Sequence, residues 1–394
     1  MECLGLLLLR VNNTPSMVYR EGHCLHTNRD QDILRRRMAN ILYGVNGEGS
    51  GHSTRAQEVI SDLIAKGHSV HVASFDRGLR NLQEKFDVTE IYGLRLAYVN
   101  NEVKYGRTLT RNLLSVRQRA KSIKLLTTRV AEWKIQLVIT DFEPLTCHVG
   151  HDLRLPVISI DNQHCLTNTD VSYPRKYRRD AAVAKLVTRI MTPRAEAYLV
   201  TSFFEAKVTR PGTFLFPPIL RQSVLDATPT TGEHVLVYVT SPAPALAKLL
   251  GSVRSPFVAY GFGREGQMGN VLFRKPSMDQ FLKDLIGAKA VMANAGFSLM
   301  TEALHLAKPY LAIPIEHQFE QIFNAYWLDK MGYGTYWDEL NKERIESFLY
   351  NLPGYRERLS AYPRRGNGAL LAKLSSLVAE YTSSRTRTPA RRRK

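Results

Sequence analysis

Short buried strands alternate with amphipathic helices along most of this chain, and this alternation constrains the fold more than any other feature. The apolar runs that predict strands are ILYGV, SVHVASF, LVIT, PVISI, AYLVTS and TFLFPPIL, then HVLVYVT, FVAYGF, VLF, AVMAN and YLAIP. Helical stretches lie between them, such as residues 53–66, where Ala56, Val59, Ile60 and Leu63 recur at spacings of three and four. Strands separated by helices predict parallel βαβ units, so the expected fold class is α/β.

The strands fall into two series joined by the polar segment DATPTTGE. We therefore expect two doubly wound, Rossmann-like domains that face each other across a cleft, with ligands outside the carboxyl ends of the strands. The predicted order is a poorly ordered extension, an N-terminal Rossmann-like domain, a linker, a C-terminal Rossmann-like domain, a C-terminal helix and a basic tail. Their predicted bounds are residues 1–37, 38–220, 221–232, 233–362, 363–383 and 384–394.

The formal charge of +18 predicts a polyanionic partner. Cations concentrate in residues 104–129, in YPRKYRR (residues 173–179) and in the C-terminal tail. In the first stretch the cations share a helical pattern with Leu109, Leu113, Val116, Ile123, Leu126 and Val130. This pattern predicts a basic amphipathic helix suited to an anionic membrane surface. The alternative is that the apolar side of this helix packs on its own domain.

The cysteines and the apolar runs indicate the cellular compartment in which such a chain would function. Cys3, Cys24, Cys147 and Cys165 form no C-x-x-C pair, so neither a zinc site nor a redox motif is predicted. Four scattered cysteines fit a reducing cytoplasm. No apolar run approaches the roughly 20 residues that a membrane-spanning helix needs, so membrane contact would be peripheral, on the inner face.

The segment NAGFSLMTEAL contains the first candidate site, at a small-residue turn between a strand and a helix. Free backbone N–H groups and the helix dipole at such a turn favour a phosphate group. Gly296 would let a diphosphate approach the backbone, and the Ser298 hydroxyl would donate to it. Glu302, in the second helical turn, would accept hydrogen bonds from two ribose hydroxyls. The alternative is an ordinary strand–helix turn with a solvated Glu302.

The segment GVNGEGSGHSTRA contains the second candidate site, with Gly47, Gly49 and Gly51 after a strand. A dinucleotide-binding fingerprint would require glycine where His52 stands, and Glu48 would repel a pyrophosphate. At a helix start the dipole favours the neutral imidazole, which is the form that a general base needs. The alternative is that this histidine caps its own helix.

A histidine base works better when a carboxylate orients it. Asp141 stands at the end of one predicted strand and Glu143 two residues later, whereas Asp161 ends another strand just before His164. From the residues alone, all three carboxylates are candidates. Further possible donors to a ligand are Thr240, Ser241 and Arg264. No metal site is predicted, because the only D-x-D motif, Asp30–Gln31–Asp32, lies in the N-terminal extension.

The whole run NAGFSLMTEALHLAKPYLAIPIEHQFEQIFNA resembles the nucleotide-sugar signature of GT-B glycosyltransferases. It is most similar to the group containing the lipid II-forming N-acetylglucosaminyltransferase and plant monogalactosyldiacylglycerol synthase, and the resemblance extends roughly from Met38 to Leu340. It implies that the turn binds diphosphate, that Glu302 binds ribose, and that a polar pair contacts the donor sugar. Ala295 departs from the usual double glycine, and Glu320 stands where related enzymes often carry Gln or Asp.

The glycine loop resembles the loop ending in histidine of the same enzymes, which lies under the reacting centre. The resemblance implies His52 as the base and favours Asp141 as its partner. The nucleotide-sugar-binding residues that we predict are Gly49, Gly51, Thr240, Ser241, Gly296, Phe297, Ser298, Glu302, Glu320 and Gln321.

The resemblance implies an inverting, metal-independent glycosyltransferase that takes a nucleotide-diphosphate sugar, a UDP-sugar in particular, and needs no cofactor. The expected acceptor is lipid-linked at the membrane face. One alternative is a sugar-nucleotide epimerase of the same architecture, which would need no acceptor surface and so leaves the basic stretches unused. A non-catalytic nucleotide- or RNA-binding protein is the other; it would leave His52 and Glu302 without a role, and no RNP, KH or zinc-finger pattern occurs.

Overall fold

The computed structural model describes residues 38–93, 98–99, 102–103, 115–240, 244–275 and 277–383. The predicted extension (residues 1–37), the basic tail (residues 384–394), Ser241 and most of the cationic stretch before residue 115 lie outside the described residues.

Eleven described strands and seven described helices precede residue 230. The strands are β1 (Asn40–Val45), β2 (Ser69–Ser74), β3 (Val88–Glu90), β4 (Tyr98–Val99), β5 (Glu102–Val103), β6 (Leu137–Asp141), β7 (Val157–Asp161), β8 (Thr169–Asp170), β9 (Ala197–Thr201), β10 (Lys207–Val208) and β11 (Thr213–Phe216). The helices are α1 (Gly51–Ala65), α2 (Asp76–Leu82), α3 (Val116–Glu132), α4 (Pro144–Asp152), α5 (Cys165–Asn168), α6 (Arg178–Met191) and α7 (Gln222–Leu225).

Seven strands and seven helices follow among the described residues. The strands are β12 (Val235–Tyr238), β13 (Phe257–Tyr260), β14 (Gly266–Met268), β15 (Val271–Arg274), β16 (Ala290–Ala293), β17 (Tyr310–Ala312) and β18 (Gly334–Tyr336). The helices are α8 (Pro244–Ser252), α9 (Met278–Gly287), α10 (Phe297–His305), α11 (Phe319–Met331), α12 (Lys342–Tyr350), α13 (Leu352–Ser360) and α14 (Gly368–Ser383).

Each half of the chain forms a seven-stranded sheet. The N-terminal sheet has the order β11-β9-β7-β6-β1-β2-β3 and is parallel throughout. The C-terminal sheet has the order β14-β15-β13-β12-β16-β17-β18, in which only β14 is antiparallel. Helices cover both faces of such sheets, which explains why β1 and β16 are apolar runs rather than alternating patterns.

Both sheets reverse their strand order beside the first strand of the domain. In the N-terminal sheet this switch point lies between β1 and β6, and in the C-terminal sheet between β12 and β16. Loops leaving the carboxyl ends of such strand pairs diverge and leave a crevice for ligands. The loop before α1 and the carboxylate of Asp141 meet at the first switch point, and the turn before α10 lies at the second.

The last described helix, α14, returns to the N-terminal domain. Leu370, Leu374 and Leu377 are buried in the same core as Ile41 of β1 and Leu137 of β6. Where the chain returns, the side chain of Asn367 accepts a hydrogen bond from the Leu220 amide (3.0 Å) and donates one to its carbonyl (2.8 Å). The predicted C-terminal helix is therefore an outer layer of the first domain.

The described part of the cationic stretch does not present its apolar side to solvent. In α3, Leu126 and Val130 are buried in the core of the N-terminal domain, and Ile123 packs against that core. The exposed residues include the cations Arg117, Lys121, Lys124 and Arg129 and also the apolar Val116 (50% exposed) and Leu125 (38% exposed). The alternative considered above, packing on its own domain, therefore describes this helix, because the apolar stripe gains more contact there than at a surface.

The segment YPRKYRR forms a contact between the domains. Lys176 Nζ lies 2.6 Å from Asp338 Oδ2, and the Tyr177 hydroxyl donates to Asp338 Oδ1 at 3.1 Å. Nearby, Trp327 Nε1 donates to the carbonyl of Ser172 at 3.1 Å. Part of the charge that we expected to face a membrane is therefore paired within the protein. Among the described helices, none is long and apolar enough to cross a bilayer.

Candidate active site

His52 contacts Asp141 at the first switch point. Helix α1 begins at Gly51 with Ser50 as its N-cap, so His52 is its second residue and does not cap it. His52 Nδ1 lies 2.6 Å from Asp141 Oδ1, and Asp141 is fully buried. A carboxylate only accepts, so the contact with Asp141 favours a proton on Nδ1 and leaves the Nε2 lone pair to accept a proton from a substrate. Arg55 Nη2 also lies 2.8 Å from Nδ1.

Arg55 completes this group, although the sequence analysis did not single it out. Its guanidinium donates from Nε to Asp141 Oδ2 at 2.6 Å and from Nη2 to Asp141 Oδ1 at 2.5 Å. Burial lowers the pKa of Arg55, but the charge and hydrogen bonds of Asp141 together with the charges of Asp161 and Glu320 outweigh burial and hold that pKa above its ordinary value. A bidentate pair of this kind fixes the direction of the carboxylate. The sequence could have revealed the role of Arg55. It stands one helical turn after His52, on the side of the helix that carries the apolar Ala56 and Val59.

The other candidate carboxylates have structural partners. Glu143 caps α4, accepting hydrogen bonds from the amides of Leu145 (3.0 Å) and Thr146 (2.7 Å), and burial raises its pKa. Asp161 accepts from His164 Nδ1 at 2.7 Å and from the His164 amide at 2.8 Å. Burial raises the pKa of Asp161, but the charge and hydrogen bonds of His164 outweigh it and lower the pKa to about 2. Of the three carboxylates, only Asp141 contacts His52.

The turn Asn294–Ala295–Gly296 at the second switch point is braced from three sides. Asn294 Oδ1 accepts from the Thr240 amide (2.9 Å), and Asn324 donates to the Ala295 carbonyl (3.0 Å). Gln321 Oε1 accepts from the amide of Ala295 at 3.2 Å. Ala295 does not adopt a positive φ, so alanine in place of the usual glycine causes no strain here.

Two residues that we expected to face the donor, Thr240 and Gln321, make hydrogen bonds that hold this turn. Thr240 binds Asn294, and Gln321 is buried with its amide donating to Gln318 at 2.9 Å. Gln321 Oε1 also accepts from the amide of Ile315 at 3.0 Å. Arg264, a further donor considered above, lies over the ring of Phe273 at the β14 edge, away from both switch points.

The N-termini of α1 and α10 meet in the cleft. A Cβ added to Gly51 would lie 2.6 Å from Ser298 Oγ, so the absence of a side chain allows this approach. Gly296, the N-cap of α10, has φ −68°, and a Cβ added there would meet no heavy atom within 4 Å. Gly49 also faces open space, with φ +75°. Two helix dipoles directed at one open space favour an anion there.

Glu302 is neither solvated nor free. Its carboxylate is almost buried and accepts two hydrogen bonds from the Arg221 guanidinium. Nε donates to Oε1 and Nη2 donates to Oε2, both at 2.7 Å. Burial lowers the pKa of Arg221, but the hydrogen bonds and charge of Glu302 outweigh burial and raise it. A carboxylate has about four lone-pair sites, so each oxygen retains one after binding Arg221. Arg221, in the predicted linker, carried no sequence signal.

Glu320 connects the two domains at the centre of the site. It accepts from Asn162 Nδ2 at 2.9 Å and from Gln163 Nε2 at 3.1 Å. Asn162 Oδ1 in turn accepts from Arg55 Nη1 at 2.7 Å. A continuous polar network therefore runs from His52 and Asp141 through Arg55 to a residue of the second domain.

A cavity of about 150 Å³ lies beside this network, between the two domains. Phe142 borders it, and the Phe142 ring lies nearly parallel to that of His52, with centroids 6.3 Å apart. Phe297, a predicted donor residue, is buried and its side chain lines this cavity. Phe142 and His317, which also borders the cavity, have φ values of 55° and 58°, a conformation that costs non-glycine residues about 1–2 kcal/mol. Backbone strain of this kind concentrates at functional sites.

No group of three or more His, Cys, Asp or Glu side chains that could hold a metal ion occurs within the described part of the chain.

Comparison with known proteins was made by family, by sequence and by structure. Residues 39–353 match the family model described as "Glycosyl transferase family 1". An uncharacterized glycosyltransferase of Methanosarcina mazei is 23% identical over 327 residues, covering 75% of this chain and 84% of that protein. One of Methanosarcina acetivorans is 23% identical over 340 residues, with the same coverage.

Several solved structures of glycosyltransferases share the fold of this chain. The glycotransferase of kitacinnamycin matches with a TM-score of 0.64 and 16% identity, covering 88% of this chain and 99% of that one. The calicheamicin glycosyltransferase CalG4 matches at 0.63 and 14%, also over 88% and 99%. Acinetobacter baumannii MurG matches at 0.56 and 13%, over 87% and 99%. At these identities the likeness shows the fold alone, and the predicted GT-B architecture is confirmed.

Proposed function

The chain belongs to glycosyl transferase family 1, and we propose that it transfers a sugar, with inversion, from a nucleotide-diphosphate sugar to a lipophilic acceptor. One observation carries this proposal: the His52–Asp141 pair lies in the same cleft as the converging N-termini of α1 and α10. A proton acceptor and an anion site on opposite domains are what sugar transfer from a diphosphate requires.

The donor site rests on the open space in front of Gly296. In our proposal the diphosphate lies there, against the amides at the start of α10 and the hydroxyl of Ser298. The remaining lone pairs of Glu302 accept hydrogen bonds from the ribose, while Arg221 holds this carboxylate in one orientation. We propose that Glu320, which accepts a hydrogen bond from Asn162 of the first domain, contacts the sugar. Because the helix dipoles supply the positive field, we propose UDP-sugar transfer without a metal ion.

The chemical step follows from the assigned tautomer. His52 Nε2 accepts the proton of the acceptor hydroxyl while the hydroxyl oxygen attacks the anomeric carbon from the face opposite the diphosphate. The bond between that carbon and the phosphate oxygen breaks, and the nucleotide diphosphate leaves with the electron pair. Asp141 stabilises the imidazolium that forms, as in other histidine–carboxylate pairs.

Replacing Gly296 by alanine is expected to weaken UDP binding about 10-fold or more, equivalent to about 1.4 kcal/mol. The added methyl group meets no protein atom and φ is negative, so we expect folding to be unchanged. Calorimetric titration with UDP measures the loss. Gly354→Ala is the matched control, since its Cβ also meets nothing within 4 Å. Equal UDP affinity for wild type and Gly296→Ala would show that the diphosphate does not bind at this surface.

We further propose that the acceptor is lipid-linked or lipid-soluble and is taken up at an anionic membrane face. The support comes from α6, where Val183, Leu186 and Ile190 are 37%, 57% and 61% exposed. Exposed Arg179 and Arg189 lie on the same helix. Val183 also lines the cavity beside Phe142, so the apolar stripe of α6 and the cavity are continuous. Apolar side chains among cations suit an anionic leaflet.

Replacing both Leu186 and Ile190 by serine is expected to lower binding to vesicles about 10-fold or more. The reason is that two aliphatic side chains can then no longer insert into the apolar part of the leaflet. Co-sedimentation with vesicles of increasing anionic lipid content measures this, with a competing RNA to separate membrane from nucleic-acid binding. Met278→Ser, which changes an exposed methionine of the other domain, is the control. No enrichment of wild type on anionic vesicles would contradict the membrane proposal and leave a dissolved acceptor.

A further inference from the structure

Asn162 bridges the two domains at the centre of the cleft. It directly follows β7, which lies beside the strand that carries Asp141. Its Oδ1 accepts from Arg55 Nη1 at 2.7 Å, and its Nδ2 donates to Glu320 Oε1 at 2.9 Å. Only 7% of Asn162 is exposed, so water competes little for these two hydrogen bonds.

The chemistry of the two neighbours fixes the orientation of this amide. A guanidinium only donates and a carboxylate only accepts, so the oxygen of Asn162 faces Arg55 and its nitrogen faces Glu320. Among side chains of this size, only an amide supplies an acceptor on one side and a donor on the other. Aspartate would set a second carboxylate against Glu320, and leucine would leave both neighbours without this partner. The geometry therefore selects asparagine at this position.

Each neighbour of Asn162 belongs to a different part of the reaction proposed above. Arg55 binds both oxygens of Asp141, and its Nη2 also lies 2.8 Å from His52 Nδ1. It thus contacts both members of the pair that we propose to accept the proton. Glu320, from the second domain, is the residue that we propose to contact the donor sugar. One buried amide therefore links the sugar contact to the base.

We propose that Asn162 is a positioning residue for sugar transfer, which holds Glu320 in register with the group formed by Arg55, Asp141 and His52. This role rests on the transfer function proposed above and extends it to a residue that need not touch either substrate. Because the hydrogen bond between Asn162 and Glu320 joins the two domains, it forms only when they lie this close. The base is therefore aligned in the same arrangement that places Glu320 at the sugar.

Asn162→Asp is expected to lower the turnover of a UDP-sugar about 10- to 100-fold, the range for one hydrogen bond to a charged group. The new carboxylate still accepts from Arg55 but repels Glu320. UDP lacks the sugar, so its affinity should stay unchanged, whereas the affinity for intact UDP-sugar should fall. Release of UDP gives turnover, and calorimetric titrations with UDP and with UDP-sugar give the two affinities.

Adding Glu320→Gln to Asn162→Asp exchanges the donor and the acceptor of this hydrogen bond. The introduced amide donates to the introduced carboxylate and can still accept from Gln163, which donates to Glu320 at 3.1 Å in the wild type. We expect this double variant to recover most of the lost turnover and of the lost affinity for UDP-sugar. A packing role of Asn162 would not respond to such an exchange in the other domain.

Asn162→Ser covers the case in which Asn162→Asp fails to fold, because serine adds no charge but is too short to reach both neighbours. It should lose turnover similarly, and Glu320→Gln should not reverse that loss. Lys176→Met is the matched control, since it removes an exposed contact between the same domains, with Asp338, and leaves Glu320 untouched. Its turnover and both affinities should equal those of the wild type.

Unchanged turnover in Asn162→Asp, a loss that Glu320→Gln does not reverse, or an equal loss in Lys176→Met would overturn the positioning role. A fall in UDP affinity in Asn162→Asp would also contradict it, since the hydrogen bond would then support the whole domain arrangement. The wild type tests the proposed function separately, because it would bind no UDP, or release none from UDP-sugar, if that function were wrong.

Discussion

His52→Ala is expected to lower turnover about 10²- to 10⁴-fold while UDP affinity stays unchanged. The imidazole is held by Asp141 at 2.6 Å through Nδ1, so Nε2 is the atom that accepts the acceptor proton. The diphosphate and ribose contacts that we propose involve Gly296, Ser298 and Glu302, which this change leaves intact. Release of UDP from UDP-sugar gives turnover, and calorimetry gives UDP affinity.

His148→Ala serves as the control for this variant. His148 lies on α4 and is largely exposed, pairing with Asp152 at 3.1 Å, so its removal should change neither quantity. Near-normal turnover in His52→Ala would contradict the role of His52 as a base, and Asp141 would then be a structural partner only. A parallel loss of UDP affinity would instead place the donor against His52.

Arg55→Met is expected to lower the free energy of unfolding by about 3–5 kcal/mol, the usual effect of removing one member of a buried ion pair. Asp141 is fully buried and would lose both guanidinium hydrogen bonds. We expect turnover to fall as well, because an unpaired Asp141 no longer holds one orientation beside His52. Urea-induced unfolding at neutral pH measures the stability.

The double variant Arg55→Met with Asp141→Asn separates charge from packing. Removing the unpaired charge should restore part of the stability lost in the single variant, without restoring turnover. Arg129→Met is the control, since Arg129 is an exposed cation that pairs with the exposed Glu132 and lies over the Trp133 ring, and should change stability by less than about 1 kcal/mol. A similarly small effect for Arg55→Met would contradict a structural ion pair with Asp141.

The strands and the two glycine turns could be predicted because the evidence for them is local. Strand β1 is a continuous apolar run, and His52 follows its glycine loop directly in sequence. The partner of His52 could not be chosen on the same basis, since Asp141, Glu143 and Asp161 all stand at or near strand ends. The order of strands decides it: β6 lies beside β1, and the register pairs Val45 with Asp141.

The sequence does not reveal which cations have partners that are distant along the chain. Lys176 pairs with Asp338, which is 162 residues away in sequence. Arg221, in the predicted linker, pairs with Glu302, which is 81 residues away. No local sequence pattern predicts either pair. Counting cations therefore overestimates the positive charge that is available to bind a ligand. The apolar side of α3 is a second case, because a pattern of period 3.6 describes a buried stripe and a membrane-facing one equally well.

The most direct test of the central claim is to follow the anomeric carbon during the reaction. A ¹³C-labelled UDP-α-sugar and a lipid-soluble acceptor alcohol are incubated with the protein in the presence of a metal chelator, and NMR records the product. The account predicts a β-linked product from wild type and its near-absence from His52→Ala. An α-linked product, or equal product formation by both proteins, would contradict sugar transfer by inversion at the His52–Asp141 pair.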